Sequence, residues 1–177
     1  MKKYKVLFTS RTGNTEKVAV KIYEAIADSS KDIQKIEAFE GGDDAEIYFI
    51  GFWADHGSCS MEVMDCLDEI HGKKIALFGT CGMGSNKEYY AGIEASVSAF
   101  IPDDNEYLGM FLCQGKMPIQ VRNKYEEMLK RDAGDEKAKF MIKNFNEAML
   151  HPDKRDLENA AAFASKIVEE IEHGMYD

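Results

Sequence analysis

The chain has 177 residues, 45% of them hydrophobic and 31% charged, which suits one globular domain able to bury a proper core. A formal net charge of −10 argues against nucleic acid or an anionic membrane surface as a partner and suits docking against a basic patch on another protein. No apolar stretch approaches the roughly 18 residues needed to cross a bilayer, so no membrane insertion is expected.

Met1-Lys2-Lys3-Tyr4 leads straight into a strand-like run rather than an export-signal segment. The first strand is predicted over Lys5–Thr9, followed by the hydroxyl-rich turn Ser10-Arg11-Thr12-Gly13-Asn14-Thr15. A helix over Thr15–Ser29 comes next, with Val18, Ile22, Ala25 and Ile26 at helical spacing. Ile33–Ala38 reads as a second strand, polar enough for a sheet edge. Strands over Glu46–Gly51 and Lys74–Gly79 carry the runs Ile47-Tyr48-Phe49-Ile50 and Ile75-Ala76-Leu77-Phe78, the pattern of strands covered on both faces. Helices over Ser60–His71 and Lys87–Phe100 and a fifth strand over Tyr107–Cys113 complete the alternation.

Beyond the fifth strand, Pro118–Arg131 and Asp135–Leu150 read as two helices broken at Ala133-Gly134. Met128, Phe140, Met141, Phe145 and Met149 would give them an apolar side. The last helix carries Leu157, Ala160, Ala161, Ala164, Ile167, Val168 and Ile171 on one stripe, opened by Pro152-Asp153 and followed by Gly174. The pattern predicts a single α/β domain over residues 1–177, a parallel sheet with helices on both faces. A helical insertion at about 116–150 either caps one end of the sheet or faces a partner or substrate.

The turn at Ser10–Thr15 is a candidate phosphate cradle. Where a helix opens, backbone N–H groups point outward and the dipole favours an anion, while Ser and Thr hydroxyls add donors. Gly13 removes the side chain where the backbone must approach a ligand. The alternative is an ordinary N-cap at Asn14 or Thr15 with nothing bound. No Gly-Lys-Ser/Thr and no G-x-G-x-x-G follows, which favours a monophosphate over ATP or NAD.

This turn resembles the phosphate loop of flavodoxins, Ser/Thr-x-Thr-Gly-x-Thr. The resemblance extends over nearly the whole chain to Cys113 and the final helix. It implies a flavodoxin-like three-layer sandwich with a five-stranded parallel sheet of order 2-1-3-4-5, and FMN as cofactor, gripped by loops at the carboxyl ends of the strands. Residues Ser10 to Thr15 would hold the phosphate. The loop Gly51-Phe52-Trp53-Ala54-Asp55-His56-Gly57 resembles the one whose peptide meets flavin N5, with His56-Gly57 as the best match. Trp53 either stacks on the ring or serves as a core aromatic. Thr80, Cys81, Gly82 and Met83, in the loop running on to Ser85 and Asn86, resemble the third flavin loop. Met83 stands where many members carry a stacking aromatic, and a sulfur–ring contact could replace part of it. Gln114 and Gly115 would line the far edge. Asp55 is the nearest carboxylate; at about 8 Å and an effective dielectric near 20 it would disfavour added negative charge on the ring by roughly 2 kcal/mol.

The function implied is an electron carrier whose redox partner proteins dock at the acidic flavin edge. The alternative is an FMN-dependent reductase taking hydride from NAD(P)H and passing it to a quinone or similar small molecule, with the inserted helices walling the pocket. A phospho-receiver would need clustered acids where Thr9 and Ser10 stand. Cys59, Cys66, Cys81 and Cys113 form no C-x-x-C pair and read as reduced thiols of a cytoplasmic protein, with Cys81 a packing residue. His56, His71, His151 and His173 share no ligand spacing, and no metal site or catalytic side chain is assigned.

Overall fold

The computed structural model describes residues 1–41, 44–84 and 86–176. Ser85, part of the third loop, lies outside the described residues. In chain order the elements are β1 (Lys2–Phe8), α1 (Asn14–Ala25), β2 (Lys31–Lys35) with a 3₁₀ turn at Ile36–Ala38, β3 (Ala45–Trp53), α2 (Met61–Asp68), β4 (Lys74–Cys81), α3 (Lys87–Ser98), β5 (Glu106–Gln114), α4 (Ile119–Arg131), α5 (Glu136–Ala148) and α6 (Lys154–Glu172). The five strands form one sheet of order β2-β1-β3-β4-β5, and every neighbouring pair is parallel.

The continuous apolar runs have the expected cause. Phe49 joins Val6, Phe78, Val18, Ile22, Ala164 and Ile167 in a core under α1 and α6. Its neighbours Tyr48 and Ile50 turn to the opposite face and join Leu7, Leu77, Val63, Leu67, Ile93 and Val97 under α2 and α3. Side chains alternate across a strand, so a strand covered twice must be apolar at every position.

The central strands are locked by a reciprocal pairing. Gly51 sits opposite Phe78 and Gly79 opposite Phe52. A Cβ on Gly51 would lie 2.3 Å from the Phe78 ring, and one on Gly79 would lie 2.8 Å from the Phe52 ring. Each glycine makes room for the aromatic of the other strand. Farther out, β5 carries one extra residue: Ile75 pairs with Tyr107 but Leu77 with Met110, a bulge at which Gly109 takes φ 111°.

Two expectations need correction. The second strand ends at Lys35 and gives way to the 3₁₀ turn, because Ile36 drops into the α2/α3 core rather than continuing the ladder. In the insertion, Phe140 is 59% and Met149 41% exposed. The buried stripe of α5 is Ala138, Asn144, Phe145 and Ala148, and Phe140 lies two residues, about 200° of helix, away from Ala138. The helix starts are capped: at α5 the Asp135 side chain accepts from the Ala138 N–H, and α6, after the insertion, opens with an Asp153/Asp156 capping box.

Candidate functional site

At the carboxyl edge of the sheet, the loops after β1, β3, β4 and β5 enclose a cleft of about 280 Å³. Its lining includes Arg11, Thr12, Asn14, Trp53, Ala54, Thr80, Cys81, Gly82 and Gly115, nine of the residues singled out from the sequence. It also includes Lys116, Met117, Pro118 and Val121, which sequence reasoning missed.

The β1–α1 loop is folded on itself. Ser10 Oγ accepts from the Gly13 N–H at 3.1 Å and the Glu16 N–H at 3.3 Å. Thr12 Oγ1 accepts from Asn14 Nδ2 at 2.9 Å. Because both hydroxyl oxygens are used as acceptors, each O–H proton is left to donate elsewhere. Gly13 occupies the N-cap of α1 at φ 85°, in the left-handed region, and no side chain caps the helix there. Of the first-turn amides of α1, that of Glu16 is taken by Ser10 Oγ, which leaves those of Asn14 and Thr15 without an intrahelical or N-cap side-chain acceptor. The whole set suits an anion.

Thr15 behaves differently from its neighbours. Its side chain is 1% exposed, and its hydroxyl meets Phe52 O at 3.3 Å and Thr80 Oγ1 at 2.9 Å. It ties the helix start to the ends of β3 and β4, leaving only its backbone amide at the helix N-terminus. Phe52 likewise is a fully buried core residue.

Trp53, the chain's single tryptophan, is half-buried, with the Arg11 guanidinium over its ring, 5.1 Å from the centroid. Across the cleft, Met117 packs directly on Gly82: a Cβ there would lie 2.3 Å from the Met117 sulfur. The methionine lining the cleft is thus Met117 rather than Met83, whose carbonyl accepts from Cys81 Sγ and the Tyr90 hydroxyl, both at 3.3 Å. Burial pushes the Cys81 thiol up to about 11, so it is a protonated packing group at neutral pH.

The Asp55–Ser58 segment forms a tight hairpin outside this cleft, closed by Asp55 N–H to Ser58 O (2.9 Å) and Ser58 N–H to Asp55 O (3.0 Å). His56 (φ 49°) and Gly57 (φ 81°) both take left-handed torsions, as a two-residue I′ turn requires. For histidine that costs about 1–2 kcal/mol. The His56 ring is 96% exposed, with Nδ1 2.7 Å from Asp55 Oδ1. Ser96 Oγ donates to Ser58 Oγ at 2.8 Å and moors the hairpin to α3.

The β4 loop is held by the insertion. Asn144 of α5, 5% exposed, accepts from the Gly84 N–H at 2.9 Å and donates from Nδ2 to Gly82 O at 2.9 Å. Gln114, 6% exposed, donates from Nε2 to Gly82 O at 3.0 Å and to Asn144 Oδ1 at 3.2 Å. Gln114 therefore braces the loop from beneath instead of lining the cleft. Asn144 left no signal in the sequence: a polar residue on a helix reads as solvent-facing until its partner is known.

A doubly wound sheet with a helix-start anion cradle and loops gathered at one edge defines the flavodoxin-like class. A model of the flavodoxin domain matches residues 5–165, and the chain belongs to the flavodoxin family. It is 41% identical over 167 residues to the flavodoxin-like domain-containing protein BilS of Clostridioides difficile (strain CD3), covering 92% of this chain and 94% of that one. The protein of the same description from Clostridium symbiosum (strain WAL-14163) is 32% identical over 186 residues, covering 96% of each. Among solved structures, a flavodoxin from the domain Archaea superposes with a TM-score of 0.57 at 15% identity, over 97% of this chain and 99% of that one, which bears on the fold alone.

Proposed function

We propose that the chain binds FMN in this cleft and carries electrons between redox partners. The observation that carries the reading is the β1–α1 loop: two hydroxyls with protons to give, an uncapped helix start and no side chain at Gly13 together suit a phosphate monoester. The remainder of the cleft fits a flat ring, with Trp53, Ala54, Gly82, Met117 and Val121 around it. The flavin supplies the electron chemistry and the protein supplies binding, orientation and electrostatics.

In this reading the Ser10 and Thr12 hydroxyls and the amides of Asn14 and Thr15 hold the phosphate, with Arg11 in the same loop and Gly13 leaving room for it. The His56–Gly57 peptide, on the hairpin that continues the Trp53-Ala54 wall of the cleft, would be the partner of ring nitrogen N5 for a ring whose edge extends past that wall. The net charge of −10 suits basic partner proteins docking at the exposed edge. All four cysteines are free and buried, in keeping with a cytoplasmic location. Residues 1–177 act as one domain, the insertion included. Purified protein mixed with FMN should quench flavin fluorescence, turn persistently yellow on desalting, and prefer FMN to riboflavin. A colourless protein that ignores FMN overturns the reading.

A second reading, an FMN-dependent small-molecule reductase, is favoured by one observation: Met117, Pro118 and Val121 from the start of the insertion wall the cleft on one side. Rapid flavin bleaching by NADPH alone would select it, and bleaching only with a partner protein would reject it.

A further inference from the structure

We propose that the groove between the Asp55–Ser58 hairpin and α3 is a second binding site, for a flat, uncharged aromatic carbonyl compound of the quinone type. It shares no lining residue with the flavin cleft and does not rest on the flavin reading. Its volume is about 460 Å³, against about 280 Å³ for the cleft, and Gly57, Asn86, Glu88, Tyr89, Gly92 and Ile93 line it.

Two departures from local preference meet at this groove. Among the described residues, Gly92 is the one glycine inside any of the six α-helices. Glycine is the weakest helix former after proline. Nothing in the fold asks for it here: Gly92 is exposed, takes no left-handed torsion, and a Cβ there would meet nothing within 4 Å. On the other wall, Gly57 follows His56, the only residue other than glycine with a positive φ among those described. An Asn-Gly pair makes the same turn at less cost than His-Gly. Strain that the turn does not require is a mark of function.

The period of α3 explains why the groove stays open. Tyr89, Gly92, Ile93 and Ser96 share one face of the helix. The hairpin covers that face at Ser96, through the hydrogen bond to Ser58. One turn earlier the lining includes Gly92 on one side and Gly57 on the other, with no side chain at either to close the gap.

The lining selects the guest. Ile93, 1% exposed, supplies an apolar floor, and Tyr89, 37% exposed, an aromatic wall. Bare backbone at Gly57 and Gly92 lets a flat ring lie close. Asn86 Oδ1 accepts from the Tyr89 N–H at 3.0 Å, but Asn86 Nδ2 and the Tyr89 hydroxyl make no hydrogen bond among the described residues. Two donors with protons to give suit carbonyl oxygens. Glu88 is the one charged residue of the lining, so an anion is repelled. A single exposed carboxylate is also a weak hold on a cation.

The test titrates oxidised protein, FMN-loaded and flavin-free, with duroquinone, whose fully substituted ring resists addition of thiols. The control is 2,3,5,6-tetramethylbenzoate, a carboxylate of similar shape. Calorimetry should show the carboxylate binding about tenfold more weakly than duroquinone. Duroquinone should shift the amide resonances of Gly57, Gly92 and Ile93 in both forms of the protein and leave that of Gly115, in the flavin cleft, unmoved. Gly92→Ala should raise the urea midpoint, because alanine favours the helix, yet weaken duroquinone about tenfold by intruding on the groove. Gly92→Leu should abolish binding, and Tyr89→Phe should weaken it about fivefold, the loss of one neutral hydrogen bond. The proposal is overturned if duroquinone moves Gly115 rather than Gly92, if the carboxylate binds equally, or if Gly92→Ala binds as the wild type does. A less stable Gly92→Ala overturns it too, since the glycine would then serve the fold. Normal FMN uptake without duroquinone binding removes this inference and leaves the flavin reading standing. Gly92-dependent duroquinone binding by a protein that refuses FMN does the reverse.

Discussion

Two loops of the same cleft are held in opposite ways. The β1–α1 loop makes its turn largely from its own residues: Ser10 secures the amides of residues three and six positions onward, and Asn14 and Thr15 then pin the helix start to Lys116, Phe52 and Thr80. The β4 loop is held from a distance, by Gln114 at 32 residues' separation from Gly82 and by Asn144 at 60 and 62 residues from Gly84 and Gly82. The turn itself, in a loop of the first kind, is set by hydrogen bonds between near neighbours in sequence. One of the second kind exists only once a separate helical unit has docked, so its geometry is a property of the whole fold.

The largest test of that contrast is Phe145→Ala. Phe145 is 3% exposed and anchors α5, so its loss should cost about 3–5 kcal/mol, read as a lower urea midpoint in a single transition. Hydrogen exchange should accelerate at Gly84 while the Gly13 amide keeps its protection. A variant unfolding in two transitions would show that the insertion is a separate unit.

Asn144→Ala is the next strongest. Gly84 N–H would lose its acceptor, and Gly82 O would retain only Gln114, for a cost of about 2 kcal/mol. FMN binding should weaken while the α5 helix itself persists in circular dichroism. Unchanged exchange at Gly84 would mean that the clasp does not hold the loop.

Ser10→Ala acts on the other side of the comparison. It frees the Gly13 and Glu16 amides and removes one donor to the anion, so stability should fall by about 1 kcal/mol and FMN affinity by about tenfold. The β4 loop should not notice.

The smallest effect lies far from both loops. The His71 ring is hydrogen-bonded to Asp104 at 3.2 Å, and that carboxylate raises its pKa above the ordinary 6.5. With the folded value raised, the stabilisation is fully present below the unfolded pKa and disappears as pH climbs through the folded one. Proton NMR should place the His71 midpoint above 6.5, and Asp104→Asn should bring it down.

The same division explains what could be read from the chain. Val6 to Phe8, Ile47 to Ile50 and Ile75 to Phe78 carry period and burial in their own letters, so the parallel sheet and its helices were legible. Ser10 to Thr15 were legible as a hydroxyl-rich turn opening a helix because adjacent residues form it. Thr15 reads in the sequence as one more hydroxyl of that turn, but its hydroxyl is committed to Phe52 and Thr80, and nothing local announces which way a threonine turns. Met117, Lys116 and Asn144 stayed hidden because their importance comes from what packs against them. Phe140 and Met149 misled because an apolar residue on a helix is buried only if the helix phase permits, and here it does not.

The bulge at Gly109 bears on how copies of this protein behave toward one another. The sheet ends in two open rims. At β2 the rim is only five residues long and studded with Lys31, Asp32 and Lys35. At β5 the extra residue bends the strand out of line. Short length and charge at one rim and a bulge at the other are the features that oppose edge-to-edge strand pairing between copies of a chain.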